Sequence, residues 1–557
     1  MMKNSSSVLA LVASSALCAA LPVTSFSQQS SDLLPKVDAI FARFDRNTPG
    51  CGVGLSKGGR PVVIKGYGAA NLEYGVPNTD TTVFESGSVA KQFTAAAIVL
   101  LAQDGKLSLD DDVHKYLPEV PSFGGQKITI RNLLTHTSGL RDQWGLLGIE
   151  GRGPGTQVHS PLTTLDLIAH QKMLNFPAGS AYLYSNSGYA LAALIVQRVS
   201  GKTLDQFTQE RLFRPLGMTH TQWRDDFTEV VPNRATAYNG SAANGFHTDM
   251  PFTDMIGNGG LLSTMSDLLK WNENLDGPKV GGRGLTTALE TPMRLTSGRV
   301  IDYALGLGVN EYRGVREVSH DGSTAGYRTF LARYPAQRVS VAVWCNSAAA
   351  NATDLGRQVA SLVLTFPATQ AQGAPAGVTL PASDLVRWAG IYRDGLTGQT
   401  ATLSVAENAL GQPRATGGPN IPWVPLGGAR FRSPQGDATF SGSLGRRAIT
   451  IVRGTGDTAH YAEVKPVASR VPVEDYSGTY ASDELDVRLV VAVRDGKLLL
   501  RRRPADEFEL IPAFADAFRA PAAGITSMVF ARDAKGTVTG FAIFAGRVFD
   551  VRFTRQR

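Results

Sequence analysis

The sequence is poor in cysteine, in charge and in long apolar runs. It has three cysteines and 18% charged residues in 557 positions, which excludes a disulfide-rich scaffold. With 43% hydrophobic residues the chain is too apolar to be disordered throughout. No apolar run reaches the roughly 20 residues of a membrane-spanning helix, so we do not expect a membrane-embedded protein. Single cores stop growing near ~250–300 residues, so the length predicts two or three domains.

Strong charge asymmetry and metal-ligand spacing are also missing. The net charge of +7 is small for this length, and the one basic run, Arg501–Arg503, fits a solvated strand face better than a nucleic-acid site. The eight histidines show no ligand spacing typical of zinc. We therefore expect neither a nucleic-acid partner nor a metal or other cofactor.

The first 27 residues have the features of a signal peptide. Lys3 gives a positive start, Val8–Leu21 is apolar, and Ser25–Ser27 offers a cleavage site between small residues. We expect export to the periplasm or beyond. Cleavage would remove Cys18 and leave Cys51 and Cys345, which could pair in an oxidising compartment or remain two buried thiols.

The rest of the chain divides by composition and pattern. Residues 28–368 alternate strand-like and helical runs, which indicates an α/β domain. A linker rich in Ala, Gln and Gly covers 369–380. Beyond it, Trp388–Tyr392 resembles Tyr476–Tyr480 at an offset of 88 residues. This repeat, with a short strand every eight to twelve residues, predicts two small closed antiparallel barrels at 381–468 and 469–557.

Ser88 and Lys91 form the strongest chemical signal in the chain. They stand at the start of a helix predicted over 88–102, and a spacing of three places both side chains on one face. A lysine partly desolvated in a cleft can lose its proton and activate the serine, while the helix N-terminus favours an oxyanion. A serine and a lysine at this spacing also recur by chance, so other sequence elements must show whether this pair is catalytic.

Two further elements complete the pattern. Tyr184 and Asn186 precede another predicted helix; a phenol can relay a proton, and an amide can hold a substrate carbonyl and the lysine amine. His320 and Gly322 end a predicted strand, where a glycine lets substrate lie against the strand edge. The N–H group of the next residue, Ser323, would then be a second oxyanion donor.

These motifs resemble a known family. Ser-x-x-Lys, Tyr-x-Asn and His-x-Gly, with Leu133–Leu140 and Gly259–Thr264, are similar to the penicillin-recognising serine hydrolases of the class C β-lactamase and D-alanyl-D-alanine peptidase family. The two trailing barrels make the layout similar to that of bacterial D-aminopeptidases, with lipocalin-like barrels behind the hydrolase domain. The resemblance implies an α/β/α sandwich whose antiparallel sheet comes from both chain ends.

The resemblance also implies roles. Ser88 would be the acylated nucleophile, Lys91 its base, and Tyr184 the acid and base that primes the deacylating water. Asn186 and His320 would bind substrate, and the N–H groups of Ser88 and Ser323 would form the oxyanion hole. Cys51 and Cys345 would be neighbours on antiparallel strands, close enough for a disulfide.

One departure from the family pattern concerns charge. Related β-lactamases carry Lys-Thr-Gly where this chain has His320-Asp321-Gly322. A histidine holds a substrate carboxylate less firmly than a lysine, which disfavours β-lactamase activity. We further hypothesise that Asp321 raises the pKa of His320.

The expected function is therefore an exported serine hydrolase that cleaves peptide or amide bonds next to D-amino acids through an acyl-enzyme. A carboxylesterase of the same fold is the alternative; a β-lactamase or a non-catalytic binding protein fits less well. The expected partner is a small peptide, amide or ester, and assembly as a homodimer stays open. By the same resemblance, the barrels would push a loop into the cleft and limit substrate size.

Three single features have competing interpretations. Gly54–Gly58 fits the Gly-x-Ser-x-Gly elbow of α/β-hydrolases, but a strand rather than a helix follows it. His136 and Thr137 fit a hydrogen-bonded turn better than a substrate contact. The glycine-rich segment Trp144–Pro161 is either a lid over the cleft or a long surface loop.

Overall fold

The computed structural model describes residues 26–368, 377–414, 419–453, 457–468, 472–502 and 505–557. The signal peptide predicted over 1–27 lies outside the described residues, except that Phe26 begins the first helix. Most of the linker predicted over 369–380 lies outside them too. Within the described part, every helix is too short or too polar to span a bilayer.

The main domain is built on an antiparallel sheet contributed by both of its chain ends. Strand Cys51–Lys57 pairs with Val339–Cys345 on one side and with Arg60–Tyr67 on the other. Val339–Cys345 also pairs with the strand before it, Tyr327–Tyr334. The six strands lie in the order Gly308–Tyr312, Val315–Thr324, Tyr327–Tyr334, Val339–Cys345, Cys51–Lys57 and Arg60–Tyr67.

Helices cover both faces of this sheet. The α-helices of the described part are Phe26–Phe41, Lys91–Gln103, Ile130–Leu134, Gln143–Glu150, Pro161–Ala169, Asn186–Ser200, Leu204–Thr208, Arg214–Leu216, Met265–Asp276, Gly282–Glu290, Ala352–Ser361 and Ala382–Val386. Short sheets join Phe84–Glu85, Leu261–Ser263 and Gln222–Trp223; Ala69–Asn71 and Val76–Pro77; and Tyr238–Ser241 and Gly245–Thr248.

Strand Cys51–Lys57 shows why its sequence alternates glycine with apolar residues. Cys51, Val53 and Leu55 are buried in a cluster with the first and last helices of the domain. On the other face, a Cβ at Gly52 or Gly54 would lie 3.1–3.2 Å from Met265. The glycines let helix Met265–Asp276 pack close to the sheet. Ser56 lies in this same strand, so the α/β-hydrolase elbow considered for Gly54–Gly58 is wrong.

The two remaining cysteines are joined. Cys51 and Cys345 are direct partners in the antiparallel register, and their sulfur atoms form a disulfide. The bond connects the first strand of the domain with the last, as the resemblance implied.

Two nine-stranded antiparallel sheets follow, each nearly closed into a barrel. Barrel 1 contains Gly390–Asp394, Thr400–Ala406, Ala409–Gln412, Ile421–Pro422, Val424–Gly427, Arg430–Ser433, Gly436–Ser441, Ala448–Arg453 and Thr458–Val464. Barrel 2 contains Gly478–Ala481, Arg488–Arg494, Lys497–Arg502, Asp506–Glu509, Ile511–Phe514, Ala517–Ala520, Ile525–Arg532, Val538–Ala545 and Val548–Arg555. The fold class expected from the sequence is confirmed.

The internal repeat corresponds to the same local structure in both barrels. The Tyr392 hydroxyl donates to the carbonyl of Trp388, and the Tyr480 hydroxyl donates to the carbonyl of Tyr476. Strand order is also the same in both sheets. The barrels differ in their packing, because barrel 2 shares one buried apolar cluster with the main domain whereas barrel 1 has a cluster of its own.

Candidate active site

Ser88 lies in a short 3₁₀ turn, Gly87–Ala90, that leads into helix Lys91–Gln103. The helix predicted over 88–102 is thus present, although it is buried on nearly all sides rather than on one. Glu85, just before the turn, accepts hydrogen bonds from Arg224 at 2.8 and 3.0 Å and from Arg234 at 3.0 Å. This buried ion-pair cluster fixes the segment that carries the serine.

Strand Val315–Thr324 approaches the serine turn so closely that only glycine fits at the contact. A Cβ at Gly322 would lie 2.2 Å from the carbonyl oxygen of Ser86 and 3.0 Å from the amide nitrogen of Ser88. Gly87 has φ +49°, and its Cβ would lie 2.6 Å from the amide nitrogen of Ser323. The structure therefore brings together the backbone segments of the predicted oxyanion hole. The binding of an oxyanion there stays a prediction.

Lys91 is completely buried and has three hydrogen-bond partners. Its Nζ lies 3.1 Å from Ser88 Oγ, 2.9 Å from Asn186 Oδ1 and 2.6 Å from the carbonyl oxygen of Asn258. Burial lowers the pKa of Lys91 well below its usual value, and nearby Arg547 lowers it further, against the opposing effect of Asp142. Two of the partners can only accept, so a neutral amine directs its lone pair at the serine hydroxyl.

Asn186 is held from its other side by a buried carboxylate. Asp142 accepts hydrogen bonds from the backbone N–H of Asn186 at 2.7 Å and from its Nδ2 at 2.9 Å. This fixes which amide atom faces Lys91, so Oδ1 must accept from Nζ. Nδ2 keeps a second hydrogen for a substrate carbonyl, as predicted for Asn186.

Tyr184 places a buried hydroxyl beside the serine and lysine. That hydroxyl has no hydrogen-bond partner among the described residues. Burial raises the pKa of Tyr184 far more than the neighbouring Ser88 lowers it. The ring lies 4.9 Å from Lys91 Nζ and 4.1 Å from the ring of His136, centroid to centroid. Tyr184 is therefore a neutral phenol, able to donate a proton to a leaving group.

The side chains of His136, Tyr303 and His320 form a hydrogen-bonded network next to Tyr184. The Tyr303 hydroxyl is 2.9 Å from Nε2 of His320 and 3.1 Å from Nε2 of His136. Nδ1 of His320 lies 2.5 Å from the carbonyl oxygen of Asp321, so it must carry the proton. In neutral His320, Nε2 then accepts from Tyr303, which in turn accepts from His136. His136 also contacts the backbone of Ser185 through Nδ1, in keeping with the turn role expected for it. No sequence pattern pointed to Tyr303.

Asp321 does raise the pKa of His320, as hypothesised, but this effect does not decide the protonation state of the histidine. Burial is the main cause that lowers the pKa of His320 to about 4, any proton on nearby Lys91 lowers it further, and the opposing effect of Asp321 is smaller. His320 is therefore uncharged at neutral pH. It cannot supply the fixed positive charge that Lys-Thr-Gly provides in the resembling β-lactamases.

These groups line a cavity of about 680 Å³, which we call the catalytic cleft after the roles predicted for Ser88 and Tyr184. Its wall includes Ser88, Tyr184, Asn186, Asp249, Asp321 and Arg547. Trp144 and Pro154, from the segment considered as a lid, also line it, next to helix Gln143–Glu150. Among the residues that the structure describes, no cluster of His, Cys, Asp and Glu is arranged to hold a metal ion.

Barrel 2 contributes directly to this cleft. Arg547, in the turn between the last two strands, lies 3.5 Å from Asp142 and 5.4 Å from the ring centre of Tyr184. Arg141, which precedes Asp142 in the chain, is fully buried and donates from Nε to the carbonyl of Phe549 at 3.0 Å. It also pairs with Glu484 of the same barrel. Sequence patterns did not reveal these contacts, because their partners lie 343 to 408 residues apart in the chain.

Comparison with known proteins agrees with this geometry. The D-aminopeptidase of Brucella anthropi is 27% identical over 517 residues, which covers 89% of this chain and 93% of that protein. A penicillin-binding protein from Bacillus halodurans is similar in structure, with a TM-score of 0.51, 27% identity and coverage of 58% of this chain and 98% of that one. An octameric penicillin-binding protein homologue from Pyrococcus abyssi gives a TM-score of 0.53 at 22% identity, covering 78% of this chain and 100% of that one. A family model described as Beta-lactamase matches residues 37–365. The chain belongs to the beta-lactamase family of serine hydrolases.

Proposed function

We propose that this enzyme removes D-amino acids from the amino end of small peptides and amides through an acyl-enzyme on Ser88. The neutral amine of Lys91 accepts the hydroxyl proton as Oγ attacks the carbonyl carbon. The oxyanion forms against the amides of Ser88 and Ser323. The carbon–nitrogen bond breaks as Tyr184 gives its proton to the leaving nitrogen, and the proton on Lys91 returns to the phenolate. Water then attacks the carbonyl carbon of the ester with the same proton transfers. The bond to Oγ breaks as Oγ is protonated, which frees Ser88.

The distribution of charge in the catalytic cleft carries the proposal. Among the described residues, neither Asp249 nor Asp321 has an ion-pair partner, whereas the arginines of the cleft are paired: Arg224 with Glu85 and Arg547 with Asp142. Unpaired carboxylates attract a cation and repel an anion. A substrate with a free α-ammonium group fits this cleft, and one that needs its carboxylate held does not.

The resemblance to a D-aminopeptidase over 93% of that protein's length supports both the free amino group and the D configuration. The uncharged His320 argues against β-lactamase activity, since it offers no cation for a carboxylate. A carboxylesterase would use the same serine, lysine and tyrosine. Because these three residues serve both reactions, we keep ester cleavage as the alternative outcome.

The test compares D-alaninamide with N-acetyl-D-alaninamide, which differ in the ammonium charge. We expect the free amine to be hydrolysed about 10- to 100-fold better, as a charge-assisted hydrogen bond predicts. Asp321→Asn should remove most of that preference by raising KM. Asp166→Asn, at an exposed position of helix Pro161–Ala169, is the matched control. Equal rates on the two amides would refute the proposal.

We also infer export, from the N-terminal segment and from the disulfide, which persists in oxidising compartments. The mass of the protein recovered from a periplasmic fraction tests it: loss of about 27 residues is expected, and an intact N-terminus in the cytoplasm would refute it. The homodimer stays a proposal, for light scattering to test.

A further inference from the structure

A second cavity, of about 1080 Å³, adjoins the catalytic cleft where the main domain meets both barrels. Tyr184, His320 and Asp321 line both cavities. Ser88 lines only the catalytic cleft. The second cavity is therefore reached from the side of the general acid and not from the side of the nucleophile. We call it the junction cavity.

Barrel 1 supplies a fixed wall of the junction cavity, the turn Asp394–Gln399. The buried carboxylate of Asp394 accepts the backbone N–H groups of Leu396 at 2.8 Å and Thr397 at 3.1 Å. Gly398 has φ +71° and packs so closely against Phe544 of barrel 2 that a Cβ would lie 2.5 Å from the ring. The turn is thus held from both sides. Leu396 remains 49% exposed although it is apolar.

The turn of barrel 2 that carries Arg547 separates the two cavities. Arg547 lines the catalytic cleft, whereas its neighbours Gly546 and Phe549 line the junction cavity. The main domain fixes this turn, because the amide of Phe549 donates to Asn175 Oδ1 at 2.9 Å and its carbonyl accepts from Arg141. A substrate that occupies both cavities must pass beside Tyr184.

The chemistry of the reaction decides which part of the substrate each cavity takes. The acyl part becomes bonded to Ser88 and stays in the catalytic cleft. The leaving nitrogen must come within hydrogen-bond reach of the Tyr184 hydroxyl to receive its proton. The chain attached to that nitrogen therefore leaves on the side of Tyr184, where the junction cavity begins.

From this geometry we propose that the junction cavity binds the peptide chain beyond the scissile bond, so that barrel 1 selects substrates by the length of that chain. The proposal rests on the proposed function. Its wall suits a peptide: Ser180, Asn310 and Gln399 offer hydrogen bonds, and the rings of Tyr182 and Phe549 offer apolar surface. In effect the enzyme accepts peptides, with the amino-terminal D-residue in the cleft and the rest between the domains.

The test fills the junction cavity and compares a short with a long leaving group. Leu396→Trp and, separately, Thr397→Trp narrow the cavity. As a control, Leu444→Trp adds the same ring elsewhere in barrel 1, at a residue that is 83% exposed and lines neither cavity. On D-alanyl-triglycine, we expect kcat/KM to fall about tenfold or more in the two cavity variants, mainly through KM. On D-alaninamide it should stay within about twofold of the wild type, which also shows that the site is folded.

Each failure has its own signature. If both substrates lose activity equally, or if neither changes while the wild type cleaves both, the assignment of the junction cavity is wrong and the proposed function stands. If the wild type cleaves neither substrate, the proposed function fails, and the assignment fails with it.

Discussion

The guanidinium group of Arg547 lies 3.5 Å from the carboxylate of Asp142, a contact between the last barrel and the centre of the catalytic domain. Asp142 is 1% exposed and holds both the backbone and the side chain of Asn186. Asn186 in turn accepts from Lys91. Arg547 of barrel 2 thus contacts the network that holds the Lys91 amine.

The first prediction follows from this contact. Arg547→Gln removes the one ion pair that the described residues give Asp142, and it removes a cation that lowers the pKa of Lys91. We expect kcat to fall about tenfold, and the acid limb of kcat/KM to move to higher pH because Lys91 keeps its proton longer. Arg547→Lys should restore part of both. An unchanged pH profile in Arg547→Gln would contradict the proposed influence on Lys91. Arg552→Gln, at an exposed residue of the strand that follows this turn, is the control.

The second prediction concerns the amine itself. Lys91→Met keeps much of the side-chain volume but cannot accept the serine proton. We expect kcat on D-alaninamide to fall by about 10³ or more, because the nucleophile loses its base. Lys115→Met, an exposed lysine outside the cleft, should leave kcat unchanged. If kcat of Lys91→Met stays within about tenfold of the wild-type value, another group must be the base for Ser88.

The third prediction is the protonation state of His320. Its pKa is lowered to about 4, so we expect nitrogen NMR to show the neutral tautomer protonated on Nδ1 at pH 7, with a midpoint near 4. The unfolded chain binds this proton near the usual value of about 6.5, so His320 lowers stability as pH falls from there toward 4. His320→Asn should weaken that pH dependence. A midpoint above 6.5 would show that the effect of Asp321 outweighs burial, and would contradict this prediction.

The fourth prediction concerns the disulfide. It links strands 294 residues apart, so it restricts the unfolded chain strongly. We expect Cys51→Ser with Cys345→Ser to lower the free energy of unfolding by about 2–4 kcal/mol, measured with denaturant under non-reducing conditions. A reductant should destabilise the wild type and leave the double variant unchanged. Thiol counting on the denatured, unreduced mature protein should find no free thiol.

Local signals in the sequence were sufficient for part of the site. Ser88 and Lys91 meet because a one-turn spacing is a local property, and the glycine at 322 reports a close approach of two backbones. Repeats and turn residues were likewise sufficient for the barrels. Tyr303 and Arg547 were missed because each reaches the site by tertiary packing. The lowered pKa of His320 was missed because burial outweighs the adjacent Asp321.

The central claim is an acyl-enzyme on Ser88 with a preference for D-amino acid amides. The most direct measurement is the rate of hydrolysis of D- and L-alanine p-nitroanilide and of p-nitrophenyl butyrate, by the mature protein and by Ser88→Ala. We expect the mature protein to prefer the D-anilide strongly, and Ser88→Ala to hydrolyse it at least about 10³-fold more slowly. Full activity in Ser88→Ala would contradict the assignment of Ser88 as the nucleophile. Hydrolysis of the ester with neither anilide cleaved would contradict the proposed peptidase activity and would make the enzyme an esterase.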